Sequence, residues 1–404
     1  MGCEQTPASA LELKRYLGGF ADCFARSEPL EHLLAYTNGQ LSDLRRKSIG
    51  PMAEAAGMPP RTLQQFLSRH VWDEEFMLDT LQRMVGRKPR HRRSIGVIEE
   101  SCHPKKGDNT PGVDRQWCST TGRIDNCTLT VHLGYAAGDF HCLLDGELFL
   151  PESWAEDRAR CRSVGIANEM LYRPKWQIAF DMYQRAVANG MRIQWLTFDE
   201  RYGRFPEFLC RLDDQGQRYV AEVPETLTGW LTDPKFLRKG RHQSMAWPLR
   251  HWRPRVKNTP AECVERLCRR CHATAEGGWK KVRIKDGSKE RIGWQAMAAR
   301  FWFERHGSAT WPHLLIFARN SRSPAQIRYF VSNAREGTPP AALLNVAFEA
   351  EQVERCLQDE KGQLGLSDFE VRNYLSLRRH LILTAVSHLF LARAQHTRRG
   401  QAGL

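Results

Sequence analysis

Two short apolar runs in this chain each end on acids. Ile95, Val97 and Ile98 lead into Glu99 and Glu100, and MRIQWLTFDE, residues 191–200, ends on Asp199 and Glu200. Runs of this length, apolar and bounded by charge, read as buried strands. A strand buried on both faces needs helices to cover it. The segment KWQIAFDMYQRAVANG, residues 175–190, supplies one, with helical periodicity and a closing glycine. PEFLCRLDDQG reads as a further helix and RYVAEVP as a strand, while residues 126–150 read as two strands about Ala137-Gly138-Asp139. This order predicts an α/β fold, a mixed sheet flanked by helices. If the two acid-ended strands are neighbours, their carboxylates converge.

The flanking segments divide the chain. Residues 10–85 read as helices, and SIGPMAEAAGMPPRTLQQFLSRH, residues 48–70, has the pattern of a helix-turn-helix. Gly57 permits the tight turn, and Pro60 sits where a helix begins, because its missing N–H is not needed there. Leu63, Phe66 and Leu67 then face inward and leave Arg61, Gln64, Gln65 and Arg69 outward. Arg and Gln can read guanine and adenine edges in a major groove; the competing reading is an ordinary helical hairpin with a solvated polar face. The expected layout is an all-α DNA-binding domain over 1–85, then a basic linker, GRKPRHRR, over 86–93. The first part of the core covers 94–224, and a β-rich inserted subdomain with a KDGSK turn covers 225–311. The last strands and helices fall in 312–394, before a disordered tail over 395–404.

Sixty Lys plus Arg against 46 Asp plus Glu leave a net charge of +14, which favours a polyanionic partner. No run approaches the ~20 apolar residues of a membrane helix, and the N-terminus lacks an apolar signal core, so a cytoplasmic, nucleoid-associated protein is expected. The twelve cysteines are scattered and read mostly as small buried apolar residues in a reducing compartment. CVERLCRRCH gathers Cys263, Cys268, Cys271 and His272. It matches a short haem-attachment pattern, but adjacent Cys271 and His272 converge poorly on one zinc ion. A charged helix with incidental cysteines is the preferred reading.

A third acid lies in FEAEQVERCLQDEKG, where Leu344, Ala347, Ala350, Val353 and Leu357 trace an apolar helical stripe. Glu354 borders the stripe, and Lys361 follows seven residues on, two turns along the same face. Three convergent carboxylates, Glu99, Asp199 and Glu354, suit two Mg²⁺ ions ~3.5–4 Å apart, a device for phosphoryl transfer.

VIEESCHPKKG followed by PGVDRQWCSTTGRIDNC resembles the signature of insertion-sequence DDE transposases. The branch is the one whose first motif reads D-E-T-x-x-P-K-K-G, then G-V-x-R-Q-W/Y-C and N-C. LTFDERYG resembles the second motif. VERCLQDEKGQLGLSDFEVR resembles the third, with Glu354 and Lys361 in E-x6-K spacing; KVRIKDGSKERIGWQA and FLPESW match too. The resemblance runs from about residue 11 to 394. It implies a ribonuclease-H-like core with a β insertion before the last acid, using two ions of Mg²⁺ or Mn²⁺. It also implies a homodimer on double-stranded DNA that cuts at transposon ends and joins the 3′ ends to target DNA. Carried over by motif, Asp199 is the second metal ligand and Glu354 the third, with Lys361, Lys105 and Lys106 on DNA phosphates. The family's first acid is Asp, whereas this chain has Glu99. The extra methylene shifts the carboxylate by ~1.3 Å, against a positional tolerance of about 0.5 Å. That departure implies weak activity, better supported by Mn²⁺ than by Mg²⁺, whose octahedral geometry is stricter. It also opens a second reading, a catalytically impaired transposase-derived protein that binds ends without cutting.

Overall fold

The structure is a computed structural model that describes residues 10–87, 94–233, 260–273, 278–284, 293–305 and 308–402. The first helices are α1 (Ala10–Leu17), α2 (Glu28–Leu41), α3 (Ile49–Ala55), α4 (Pro60–Ser68) and α5 (Glu74–Gly86). Then come β1 (Ile95–Pro104), β2 (Asp114–Cys118), β3 (Arg123–Ala137), β4 (Phe140–Leu148), α6 (Glu152–Glu156), α7 (Arg158–Ser163) and α8 (Lys175–Ala188). β5 (Trp195–Phe198), α9 (Glu200–Gly203), α10 (Pro206–Asp214), β6 (Tyr219–Val223), β7 (Thr228–Trp230), β8 (Glu262–Cys263), α11 (Val264–Ala273) and β9 (Lys280–Arg283) follow. The chain closes with β10 (Gly293–Arg305), β11 (Ser308–Ala309), β12 (His313–Asn320), β13 (Ser323–Ser332), α12 (Pro340–Gln363) and α13 (Tyr374–Ala402). One compact unit holds Met1–Ser94, Ile98–Arg192 and Val353–Leu404; the other holds Ile95–Val97 and Ile193–Gln352.

In the first unit β3 is long because it serves two hairpins. Its first half pairs with β2 and its second with β4, both antiparallel, while β1 lies along its other edge. α13 belongs to this unit and is buried almost all round. Its polar residues are therefore answered by other helices, since an unpaired buried polar group is costly. Tyr36 Oη lies 2.7 Å from His380 Nδ1, Gln40 Nε2 donates to Thr384 Oγ1 at 2.8 Å, and Ser387 Oγ donates to Gln40 Oε1 at 2.8 Å. Gly57, with φ of 66°, turns the chain between α3 and α4. Pro60 opens α4, and Leu63, Phe66 and Leu67 are buried, each side chain stabilising by roughly 1.5–3 kcal/mol.

Arg379 of α13 closes the far end of α4. Its guanidinium donates to the carbonyls of Phe66, Leu67, His70 and Trp72 at 2.8–3.3 Å and lies 3.1 Å from Glu74. The last carbonyls of a helix have no partner within it, so one buried cation satisfies several at once. Arg379→Ala is expected to lower stability by about 1.5–3 kcal/mol, the range for hydrogen bonds involving a charged group. A urea titration reads this as a lower midpoint; an unchanged midpoint would place the guanidinium in solvent.

In the second unit Ile95–Val97 pair in parallel with Trp195–Thr197, and β5 pairs in parallel with β6. β6–β13, β13–β12 and β12–β10 are antiparallel, so the sheet is mixed. The segment expected to form a β-rich insertion contributes β7, β8, β9, β10 and β11 in its described part. β10 pairs with β12 over eight residues, from Trp294↔Asn320 to Phe301↔His313, and β7 and β9 pair with β10. Those strands extend the sheet, since an apolar edge on β12 needs a partner. Val220, Ile316, Phe330, Leu343, Leu344 and Ala347 form a core cluster beneath the start of α12.

The linker residues 88–93 and the KDGSK turn, 285–289, lie outside the described residues. Residues 395–402, expected to be disordered, continue α13. Among the described residues no helix is long and apolar enough to cross a membrane.

Candidate active site

β1 is buried on both faces, and its pleat sorts its side chains. Glu99, Ser101 and His103, all buried, alternate with Glu100 and Cys102. Glu100 Oε2 accepts a hydrogen bond from Lys175 Nζ at 2.8 Å. Glu99 Oε1 accepts one from Lys361 Nζ at 2.7 Å, and that ammonium also donates to Ser101 Oγ at 2.9 Å. The Glu99 and Lys361 side chains are only 1% and 2% exposed. Glu99 Oε2 is buried too and accepts no hydrogen bond from any described residue.

Neutral groups line the same face. His103 Nε2 lies 2.8 Å from Thr130 Oγ1, which lies 2.7 Å from His132 Nε2; His103 Nδ1 lies 2.9 Å from Ser367 Oγ. Burial, reinforced by the Lys361 charge, holds both imidazoles well below their ordinary pKa.

The other predicted residues are placed unequally. Asp199 follows β5 and caps α9. Its Oδ1 accepts from Arg201 N at 3.0 Å, and its Oδ2 from Arg201 Nε at 2.6 Å. Gly203 closes that turn against β6; a Cβ there would stand 2.0 Å from the Glu222 carbonyl oxygen, so only glycine permits the approach. Val97 pairs with Thr197, and Glu99 and Asp199 each follow two residues on in sequence. Glu354 is half-buried on α12.

Lys361, expected on a DNA phosphate, is instead buried against Glu99. An interior ammonium is stable only beside a carboxylate and further acceptors. Lys105 is also engaged: it donates to the Phe369 carbonyl at 2.7 Å and lies 3.6 Å from the centre of the Phe369 ring. Burial lowers its pKa to about 8. Lys106, Arg61, Gln64 and Arg69 are exposed, and Gln65 is half-buried.

Two clusters escaped the sequence reading. Glu360, beside Lys361, lies 3.1 Å from His141 Nε2 and 2.7 Å from His388 Nε2. Burial alone would raise its carboxyl pKa, but the two histidines outweigh it and hold the value at about 2, against an ordinary 4.5. The stability this carboxylate contributes is present above pH 4.5 and lost as pH falls towards about 2. Glu360→Gln is therefore expected to separate from the wild type in urea midpoint at neutral pH and to converge with it across that acid window. A constant separation would contradict the assignment. In the second cluster Cys102 and Cys118 form a disulfide, with Cys127 buried beside them. No spacing rule would have paired Cys102 with Cys118, because they lie on β1 and β2, strands that flank β3 in the folded sheet. Cys263, Cys268, Cys271 and His272 do not converge as a ligand group among the described residues.

Magnesium and manganese ions take carboxylate oxygens. Glu99 Oε2, buried and without a hydrogen-bond donor, fits such an ion, while Oε1 is taken by Lys361.

A family model described as DDE superfamily endonuclease matches residues 19–291, a span that includes Glu99 and Asp199 and stops short of Glu354. A protein of Microchaete diplosiphon described as "Probable transposase for insertion sequence element IS701" is 26% identical over 189 residues, 46% of this chain and 46% of that one. The chain therefore spans about half the length of this curated relative.

Proposed function

The chain belongs to the DDE superfamily endonucleases, and on that premise we propose that it is an insertion-sequence transposase. It binds the terminal repeats of its element, cleaves DNA at the ends and joins the 3′ ends to target DNA. The observation that carries this reading is Glu99: a buried carboxylate with one oxygen lacking a hydrogen bond among the described residues, on the strand where the first motif places an acid. The parallel pairing of β1, β5 and β6, followed by antiparallel strands, supports a ribonuclease-H-like core.

Glu99 through Oε2, Asp199 and Glu354 would hold the divalent ions, two of Mg²⁺ or Mn²⁺. When bound, these supply Lewis-acid activation of the attacking oxygen and charge stabilisation of the leaving one. The rest falls to the chain's own groups. Lys361, whose ammonium also donates to Ser101, holds the Glu99 carboxylate in one orientation. Lys105 ties the loop after β1 to Phe369, so the exposed Lys106 is carried on an anchored backbone and can meet a phosphate. Arg61, Gln64 and Gln65 of α4, with Arg69 at its C-cap, read the terminal repeat, and two copies of the chain act together on the paired ends.

A specific observation favours a second reading. The Lys361 ammonium already neutralises Glu99, which suits a protein that binds ends and does not cut. Duplex DNA carrying the element's terminal repeat, incubated with Mg²⁺ or Mn²⁺, separates the two. Metal-dependent nicking at the end, stronger in Mn²⁺, is the expected result. Salt-sensitive binding with no nick in either metal would leave only the DNA-binding role.

A further inference from the structure

Trp117 and Ile124 are 58% and 60% exposed, although they sit opposite each other in a paired hairpin, β2–β3. Across the pleat Arg115 and Asn126 form the neighbouring pair on the same face. The opposite face is core, where Cys118 and Cys127 are fully buried. The acids of the hairpin alternate to that side. Asp114 accepts from Ser153 at 2.5 Å, and Asp125 lies 3.3 Å from Arg123 Nε. Asn126 Nδ2 donates to the carbonyls of Lys105 and Gly107 at 2.9 and 3.3 Å. It thereby fixes the loop that carries the exposed Lys106 beside this face.

We infer that this face is a stacking platform for an unpaired nucleobase of a DNA strand, with Arg115 and Lys106 on the adjoining phosphates. The inference rests on the DNA reading above. An exposed indole ring with cations along one side of it offers what a single strand requires, a flat apolar surface for a base and positive charge for its backbone. Two apolar side chains are too few for a protein partner, since a specific protein interface buries about 1,000 Å² or more. Duplex DNA hides its bases in the stack, so the platform distinguishes an end that has opened from one that has not.

The test uses the full chain without divalent metal and two fluorescent mixed-sequence duplexes, one blunt and one with a short unpaired end. Trp117→Ala is expected to weaken binding to the unpaired end by roughly tenfold or more, to leave the blunt duplex unchanged, and to keep the wild-type melting temperature. Trp117→Phe, which keeps a ring, should retain most of the affinity. A 2-aminopurine in the unpaired end should be quenched by the wild type and by Trp117→Phe but not by Trp117→Ala. Equal binding of the unpaired end by wild type and Trp117→Ala overturns the platform alone, as does an equal loss on both duplexes. A wild-type chain that binds neither duplex overturns the DNA reading and the platform with it.

Discussion

Lys361→Met is expected to lower the stability of the folded chain by about 3–5 kcal/mol, the cost of leaving one partner of a buried ion pair alone. The pair is almost fully enclosed, with Glu99 Oε1 2.7 Å from Lys361 Nζ and the two side chains 1% and 2% exposed. Once the ammonium is gone, the Glu99 carboxylate is left in the interior without its partner. Glu99→Gln should be destabilising for the mirror reason, leaving the lysine charge without its carboxylate. The double variant Lys361→Met with Glu99→Gln should recover much of the loss, because neither charge remains; that non-additivity is the signature of direct coupling. Urea midpoints for the four proteins measure it. Additive losses would show that the two groups do not interact. A second readout addresses the open oxygen. Mn²⁺ should raise the melting temperature of Lys361→Met more than that of the wild type, because a ligand that binds only the folded state stabilises it in proportion to its affinity. In the variant neither oxygen of Glu99 has an ammonium partner to compete with a cation.

Asp199→Asn should reduce metal-dependent cutting by roughly a thousandfold or more, since several kcal/mol of transition-state charge stabilisation depend on the metal ligands. End binding should survive or strengthen, because a negative charge facing phosphate is removed. The substitution is well controlled by the local structure. Asp199 also caps α9 through Oδ1, which accepts from Arg201 N at 3.0 Å, and Asn is an equally good cap. The turn therefore keeps its shape while the ligand loses its charge. Normal nicking by Asp199→Asn would remove this residue from the proposed site.

What local pattern can report, the sequence reported well. The apolar run before Glu99 opens β1, which continues through both acids to Pro104 where the sequence suggested an end at Glu99; the run before Asp199 is β5, the helical repeat over 175–190 is α8, and the stripe through Leu344 and Leu357 lies on α12. The turn at Gly57 and the helix start at Pro60 follow from backbone chemistry that glycine and proline carry wherever they sit. The strand order was less legible. A hydrophobic run announces that it will be buried but not which edge it will join, so the pairing of β10 with β12 is visible only in the folded chain.

The chemistry at Glu99 divides in the same way. Its charge, its place at the end of an apolar run and the opposite facing of Glu100 are consequences of residue type and the two-residue period of a strand. That one of its oxygens is held by Lys361, 262 residues away in sequence, while the other stays open, came only from the tertiary structure. The same holds for Arg379 on the carbonyls of α4, for Glu360 between two histidines and for Cys102 with Cys118. A side chain's charge and periodicity are local properties and are written in the sequence. The partner that satisfies a buried charge is chosen by which elements the folded chain packs against it, and no local pattern encodes that choice.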